Sequence, residues 1–155
     1  MKKSYVYLFA AAIIVCLNAC DPTVNHHADS YTDHEGNQAR FSDYNGKWLV
    51  INYWAIWCKP CIEEIPEFNA LAKDMKDKVV VMGVDFDGSM GETLATSIEK
   101  LNIKFTVLTQ NPAQQLGFKE PQVLPATYIF NPQGSLHTTL LGPQTLESLK
   151  EAINP

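Results

Sequence analysis

The stretch YWAIWCKPC, residues 53–61, decides the fold and the chemistry that the sequence predicts. It continues a nearly unbroken apolar run at residues 48–51, which indicates a buried strand. Pro60 stands where a helix could begin, because proline is tolerated in the first turn of a helix. Cys58 and Cys61 are therefore predicted at a strand-to-helix turn, where a thiol can be tuned as a nucleophile. The pair points to thiol–disulfide exchange.

Residues 1–19 are predicted to be a signal peptide and not part of the fold. After a short basic start, the apolar run at residues 8–17 is too short for a comfortable membrane span. It ends in LNAC, residues 17–20, which resembles the lipobox of bacterial lipoproteins. That resemblance implies a lipidated Cys20 and an anchor at the periplasmic face of the inner membrane, a location that Asp21 also favours. The alternative is an ordinary secretory signal, which would leave a soluble periplasmic protein.

Such processing would leave one cysteine pair in the exported chain. Of the four cysteines, Cys16 would leave with the signal and Cys20 would carry lipid, so Cys58 and Cys61 remain. A stabilising role is weak, because a disulfide across so small a loop removes little chain entropy. A structural zinc site would need a second cysteine pair. The sequence therefore predicts redox chemistry without a metal or another cofactor.

The net charge and the length of the chain limit its possible binding partners and its number of domains. The 155 residues carry 12 basic and 17 acidic side chains, and loss of Lys2 and Lys3 would take the net charge from −5 to about −7. No basic cluster exists, so nucleic-acid binding is not expected. Residues 20–36 are polar and predicted to be a spacer, and residues 37–155 suit one domain. Three histidines of the spacer region are expected to be solvated, not to bind metal: His26, His27 and His34.

The apolar periods beyond the turn predict the order strand, helix, strand, helix, strand, hairpin, helix. Helices that separate the early strands imply parallel neighbours, and the late hairpin implies antiparallel ones. A central mixed sheet flanked by helices on both faces follows, which is an α/β fold. Strands are expected at residues 47–53, 79–84, 105–108, 127–130 and 136–141, and helices from Pro60 to about 75, at 92–101, 112–116 and 145–153.

The first helix is predicted to follow the cysteine pair directly. A step of three to four residues predicts an inward face, and Pro66 predicts a kink because it removes one backbone donor. The strand before the turn is expected to bury Tyr53 and Trp54. The inward face of the helix is predicted to carry Ile62, Ile65, Phe68 and Ala72.

Three motifs in order resemble the thioredoxin superfamily, in its TlpA/ResA-like branch of membrane-anchored thiol–disulfide oxidoreductases. The first is WAIWCKPC, residues 54–61, the second is Glu64 with Pro66, and the third is LPATY, residues 124–128. The resemblance spans residues 31–153, and the motifs are specific in combination. It implies a thioredoxin-like fold and an enzyme that exchanges thiols and disulfides.

The chemistry of the turn assigns roles to the two cysteines. Cys58, at the helix N-terminus, is predicted to be the attacking thiol, and the deeper Cys61 the resolving one. Pro125 looks like the family's cis-proline, which with Leu124 would bind an extended substrate strand; a trans proline would merely enter a strand. Trp57 is either a docking surface beside the thiol or part of the core.

The group that assists Cys61 is left open by the sequence. Thioredoxins proper have a buried Asp where this chain has Asn52, and the TlpA/ResA-like branch resembles this chain in having Asn there. Some members instead place a Glu near the end of the second core strand, where this chain has none. Two carboxylates, Asp87 and Glu64, are the candidates for a proton relay.

The resemblance to the TlpA/ResA-like branch, together with the single cysteine pair, implies an envelope reductase of protein disulfides, for example those of apocytochrome c before haem attachment. Its substrates would be cysteine-containing envelope proteins, and a membrane thiol donor would recharge it. A thiol oxidase or isomerase is the alternative within the same chemistry. A redox-regulated binding or chaperone module is the alternative from another class. Peroxidase activity is disfavoured, because peroxidatic cysteines of this fold normally lack the Trp-Cys-x-x-Cys context.

Overall fold

A five-stranded mixed sheet organises residues 29–153, the part of the chain that the computed structural model describes. Its order is β5-β4-β3-β6-β7, and β1 and β2 form a separate hairpin. The strands are β1 Ser30–Thr32, β2 Gln38–Arg40, β3 Trp48–Trp54, β4 Val79–Asp85, β5 Thr106–Leu108, β6 Ala126–Phe130 and β7 Leu136–Leu141. The helices are α1 Lys59–Asp74, α2 Gly91–Lys100, α3 Ala113–Leu116 and α4 Leu146–Ala152, with a 3-10 turn at Phe41–Tyr44.

The central strand β3 has one parallel and one antiparallel neighbour. It runs parallel to β4, which in turn runs parallel to β5, and it lies antiparallel to β6. The β6–β7 hairpin completes the sheet. The predicted element order and the mixed sheet are therefore confirmed. Because β3 is hydrogen-bonded on both edges, its last residues hold the start of the cysteine turn in a fixed position.

Side chains of β3 alternate between two hydrophobic clusters, as the period of two in a strand requires. Val50 and Trp54 pack with residues of α1, α2 and α4 on one face. Leu49, Ile51 and Tyr53 pack on the other face with the β1–β2 hairpin and with residues of α3. The sheet is thus covered on both faces, and the predicted burial of Tyr53 and Trp54 is confirmed.

The folded domain begins earlier than predicted. β1 lies inside the stretch of residues 20–36 that the sequence assigns to a spacer, and it pairs with β2. Tyr31 is buried against Phe41, with ring centroids 4.9 Å apart. A three-residue strand with one inward side chain has no period that a sequence can reveal, which explains the wrong boundary.

The inward face of α1 also differs from the prediction. Ile62 is 38% exposed, and the helix continues across Pro66. The pattern was wrong at this position because a carboxylate, Glu64, occupies the buried face and interrupts its apolar period. The buried residues of α1 are Cys61, Glu64, Ile65, Phe68 and Leu71.

Several predictions about the N-terminal region fall outside the described residues. They are the signal peptide at residues 1–19, the lipidation of Cys20, and the solvation of His26 and His27. Between residues 29 and 153, none of the helices combines the length and the apolar character that crossing a membrane requires.

Candidate active site

Cys58 and Cys61 form a disulfide at the junction of β3 and α1. Their sulfur atoms are 2.01 Å apart and their Cα atoms 5.2 Å apart. Cys58 is the N-cap of α1, and Pro60 lies in the first helical turn. The structure therefore confirms the predicted strand-to-helix turn, in which a proline costs no helical hydrogen bond.

The helix N-terminus creates a local environment that favours negative charge on Cys58. The Cys61 N–H donates to Cys58 Sγ at 3.3 Å, and unpaired N–H groups and the helix dipole stabilise an anion at this end. Cys58 is 5% exposed, whereas Cys61 is fully buried. Lys59 lies 3.6 Å from Glu63, but both are largely exposed, so this ion pair contributes little.

A groove of about 480 Å³ opens beside the disulfide. Trp57 lines it and is 62% exposed, which excludes the core-packing role. Residues from three segments line the groove: Trp57, Cys58, Lys59 and Pro60 from the cysteine turn, Phe86 from the turn after β4, and Gln122, Val123 and Leu124 from the segment before β6.

The segment before β6 carries the predicted cis-proline. The Leu124–Pro125 peptide bond is cis, and Leu124 lines the same groove as Cys58. The Gly142 N–H donates to the Pro125 carbonyl at 3.0 Å, which ties this segment to the end of β7. The third motif of the sequence and the cysteine turn, far apart in the chain, thus meet at one groove.

A buried carboxyl lies one helical turn after Cys61. Glu64 is 2% exposed; its Oε1 accepts from Asn52 Nδ2 at 2.7 Å and its Oε2 from the Gln144 N–H at 2.9 Å. Burial raises the pKa of Glu64 to about 7, although these two hydrogen bonds oppose the shift. Residues three apart lie on the same side of a helix, so Cys61 and Glu64 share the buried face of α1.

The amide of Asn52 is only partly satisfied. Its Nδ2 also donates to Thr127 Oγ1 at 3.4 Å, but its Oδ1 is buried without a hydrogen-bond partner among the described residues. A half-turn of this amide would bring Oδ1 toward Glu64, where a protonated carboxyl could donate to it. The pair therefore suits a carboxyl that exchanges a proton near neutral pH.

Asp87, the other candidate relay, lies at the surface. Its carboxylate accepts from Trp57 Nε1 at 2.8 Å, and the residue is exposed. An exposed carboxylate that holds an indole does not suit a proton relay to the buried Cys61. The buried acidic residue at this end of β4 is Asp85, which instead accepts from the backbone N–H groups of Asp87 and Ser89.

Some site residues escaped the sequence analysis. Val123 could have been found, because it precedes Leu124 directly. Phe86 is one apolar residue in a polar turn, and Gln144 reaches Glu64 through its backbone. Neither of these two residues leaves a signal in the sequence.

Two histidines within the described domain contact other parts of the fold. His34 is half-buried, and its Nδ1 accepts from the Val107 N–H at 3.4 Å, so the prediction of a solvated side chain was wrong for this residue. His137 packs edge-on against Trp48, with ring centroids 5.1 Å apart. The span from residue 29 to 153 holds no group of three or more potential metal ligands.

Comparison with known proteins assigns the chain to a family. The sequence model of the AhpC/TSA family matches residues 20–139. The thiol-disulfide oxidoreductase ResA of Geobacillus kaustophilus is 30% identical over 128 residues, which cover 80% of this chain and 73% of that protein. The ResA of Bacillus anthracis is 29% identical over 120 residues, which cover 77% of this chain and 69% of that protein.

A solved structure supports the same assignment at the level of the fold. The pneumococcal exposed lipoprotein thioredoxin of Streptococcus pneumoniae matches with a TM-score of 0.65 and 23% identity, over 79% of this chain and 94% of that one. The chain therefore belongs to the AhpC/TSA family, among the thioredoxin-like thiol–disulfide oxidoreductases.

Proposed function

We propose that this protein reduces disulfides of cysteine-containing proteins in the bacterial cell envelope, with Cys58 and Cys61 as its redox pair. The observation that carries the proposal is the Cys58–Cys61 disulfide at the N-terminus of α1, at the edge of a groove. A dithiol in this position combines a stabilised thiolate with access to a partner.

The proposed cycle transfers two electrons from the protein to its substrate. In the reduced protein, the Cys58 thiolate attacks one sulfur of the substrate disulfide, and the other substrate sulfur leaves as a thiolate. The Cys61 thiolate then attacks Cys58 Sγ, which forms the protein disulfide and releases the second substrate thiol. A membrane thiol donor returns two electrons to the pair.

The assignment of Cys58 as the attacking thiol rests on its environment. Its sulfur accepts a hydrogen bond from the helix N-terminus, and it lines the groove. Cys61 is fully buried, so a substrate disulfide cannot reach it before the mixed disulfide has formed.

Glu64 is proposed as the proton relay for Cys61. A resolving thiol must lose its proton before it attacks, and a carboxyl with a pKa raised to about 7 can accept a proton at neutral pH. Its place one turn after Cys61, on the same buried face, supports this role. Burial opposes a full carboxylate charge there, so the proton is held more tightly than on an exposed carboxyl, and both protonation states are populated near neutral pH.

The substrate is proposed to bind as an extended strand across the groove. Leu124, before the cis-proline Pro125, would pair with the substrate backbone, while Trp57 would cover the substrate segment beside its cysteine. The exposure of Trp57 and the presence of Leu124 beside Cys58 support this arrangement.

A lipid anchor at the periplasmic face of the inner membrane is proposed for the N-terminus. It would consist of cleavage after residue 19, lipidation of Cys20 and a tether up to about residue 29, where the described domain begins. That the S. pneumoniae protein is described as an exposed lipoprotein supports a lipid anchor. Apocytochrome c is one candidate substrate in that compartment.

Trapping in the native envelope tests the proposal. Cys61→Ala leaves Cys58 able to attack but removes the resolving thiol, so mixed disulfides should accumulate, and mass spectrometry then identifies the trapped proteins. Cys58→Ser is the matched control and should trap nothing. Equal patterns for the two variants would contradict the proposed roles, and a partner that Cys58→Ser still binds normally would indicate a binding module.

The direction of electron flow is tested by the reduction potential of the pair. A reductase should have a potential below about −150 mV, since strongly oxidising members of this fold lie near −120 mV. Equilibration with glutathione or dithiothreitol buffers gives this value. A potential clearly above that limit would identify a thiol oxidase instead.

A further inference from the structure

Exposed apolar side chains gather beside the reactive disulfide. Trp57, Phe86 and Val123 are large apolar residues whose side chains are more than two-fifths exposed. All three line the groove that contains Cys58. Leaving such side chains in water is unfavourable, so their convergence on one groove indicates an apolar ligand surface.

The groove offers little to a charged ligand. Of the described residues that line it, Lys59 is the only ionisable one apart from the cysteine, and it lies 3.6 Å from Glu63. The nearby carboxylate of Asp87 already accepts the Trp57 indole N–H. A charged substrate side chain would therefore lose water here and meet at most the solvent-exposed ammonium of Lys59, which offsets little of that cost, whereas an apolar one would gain.

Phe86 and Val123 are contributed by two different segments. Phe86 follows β4 directly, and its N–H donates to the Trp54 carbonyl at 2.8 Å, which fixes it to the end of β3, the strand that precedes the cysteine turn. Val123 precedes Leu124, two residues before the cis-proline Pro125. The end of β3 and the cis-proline segment thus position Phe86 and Val123, as they also position Cys58 and Leu124.

We propose that Phe86 and Val123 determine specificity by binding a bulky apolar side chain next to the reacting cysteine of the substrate. The occupant is an extended polypeptide whose disulfide cysteine is flanked by a residue such as Leu. This inference rests on the proposed reductase function and leaves its redox step unchanged: two electrons pass from the dithiol to the peptide disulfide, which becomes a dithiol.

The contact should affect substrate binding more than the chemical step. Phe86 and Val123 touch a side chain that does not react, so they stabilise the bound substrate and the transition state about equally. Such an interaction appears in KM and leaves kcat nearly unchanged. Apolar sites commonly discriminate between substrates by about tenfold or somewhat more, which sets the expected scale.

Two short peptides with an internal Cys-x-x-Cys disulfide test the proposal. They are identical except that Leu or Asp precedes the first cysteine. The reduced protein is mixed in excess with each peptide at several protein concentrations, and the release of peptide thiols in a single turnover is followed by chromatography, so that the limiting rate and the half-saturating concentration stand for kcat and KM. Wild type should favour the Leu peptide by about tenfold in kcat/KM, mainly through KM.

Substitutions test whether Phe86 and Val123 cause the preference for the Leu peptide. Phe86→Ser and Val123→Ser should each reduce it to about threefold or less. Leu136→Ser is the matched control, because Leu136 is exposed to a similar extent, 46% against 43% for Phe86, but does not line the groove; it should keep the wild-type preference. Circular dichroism checks each fold, and Val123→Ser decides the test if Phe86→Ser does not fold.

The outcomes separate this inference from the function on which it rests. A wild-type protein that reduces neither peptide contradicts the proposed reductase. A wild-type protein that reduces both peptides equally, or groove variants that keep the full preference, overturns the specificity role and leaves the reductase intact. Loss of the preference in Leu136→Ser as well would also overturn it, since the effect would then not belong to the groove.

Discussion

At the scale of single residues, Glu64 is a carboxyl group whose surroundings differ strongly from water. It is buried between Asn52 and the backbone of Gln144, and burial raises its pKa from 4.5 to about 7. A carboxyl held this way is neutral at low pH and charged at high pH within the folded protein. Its titration should therefore be visible in the stability of the protein as well as in its chemistry.

Glu64→Gln tests this titration through the pH dependence of unfolding. Because the folded pKa is raised, the contribution of Glu64 to stability is present below about pH 4.5 and is lost as the pH rises to about 7. Relative to wild type, the Gln variant should gain stability over that window, on the order of 3 kcal/mol at most. Urea unfolding of the oxidised proteins at several pH values measures this difference.

The matched control for Glu64→Gln is Glu63→Gln, its exposed neighbour on α1. Because Glu63 is exposed, Glu63→Gln shows what the loss of a surface carboxylate of α1 does to stability at each pH, and Glu64→Gln should differ from it across this window. A difference between Glu64→Gln and wild type that stays constant from pH 4.5 to about 7 would show that Glu64 does not titrate with a raised pKa.

At the scale of elements, the contact between β3 and β4 leaves no room for a larger residue at Gly83. A Cβ added there would lie 2.9 Å from Phe105 Cε2 and 2.9 Å from Trp54 Nε1. Trp54 is fully buried, ends β3 and precedes the cysteine turn. Close packing at Gly83 therefore helps to fix the end of β3 and, with it, the position of Cys58.

Gly83→Ala should destabilise the protein by about 1–3 kcal/mol, because the added methyl group forces buried aromatic rings to move. Thermal unfolding followed by circular dichroism measures the loss. Asn45→Ala, in an exposed turn, is a comparison substitution without a buried clash. Wild-type stability in Gly83→Ala would mean that Phe105 and Trp54 have space to give way.

At the scale of the whole molecule, the N-terminal hairpin is part of the domain. β1 and β2 help to cover one face of the sheet, and Tyr31 packs in the cluster that includes Phe41 and Leu49. The Thr32 carbonyl also accepts hydrogen bonds from the backbone N–H and the hydroxyl of Thr109. These bonds join the hairpin to the segment after β5.

A chain that starts at residue 37 should therefore be less stable than one that starts at residue 29. The shorter chain loses β1 and Tyr31, and removal of one large buried side chain alone costs about 3–5 kcal/mol. Urea unfolding of the two proteins gives the difference. Equal stability would mean that the domain boundary lies at residue 37, as the sequence analysis predicted.

Much of the fold was predictable because its signals are local. The apolar runs that became β3, β4 and β6 are buried on both sides of a sheet, and a fully buried strand is apolar along its whole length. Helices α2, α3 and α4 likewise fall within about two residues of their predicted bounds. The predicted domain boundary was wrong because the three residues of β1 are too few to establish a period. The predicted burial of Ile62 was wrong because a buried carboxyl, Glu64, interrupts the apolar period of α1.

The sequence by itself determined the cysteine pair, its strand-to-helix turn and the proline of the third motif, because each depends on neighbours within a few residues. Only the tertiary structure decided that Glu64 rather than Asp87 is the buried acid, and that Phe86 and Val123 meet beside Cys58. Those outcomes depend on which face a helix turns inward and on which turns the sheet brings together. Burial and proximity are properties of the packed sheet, and no short stretch of the chain contains them.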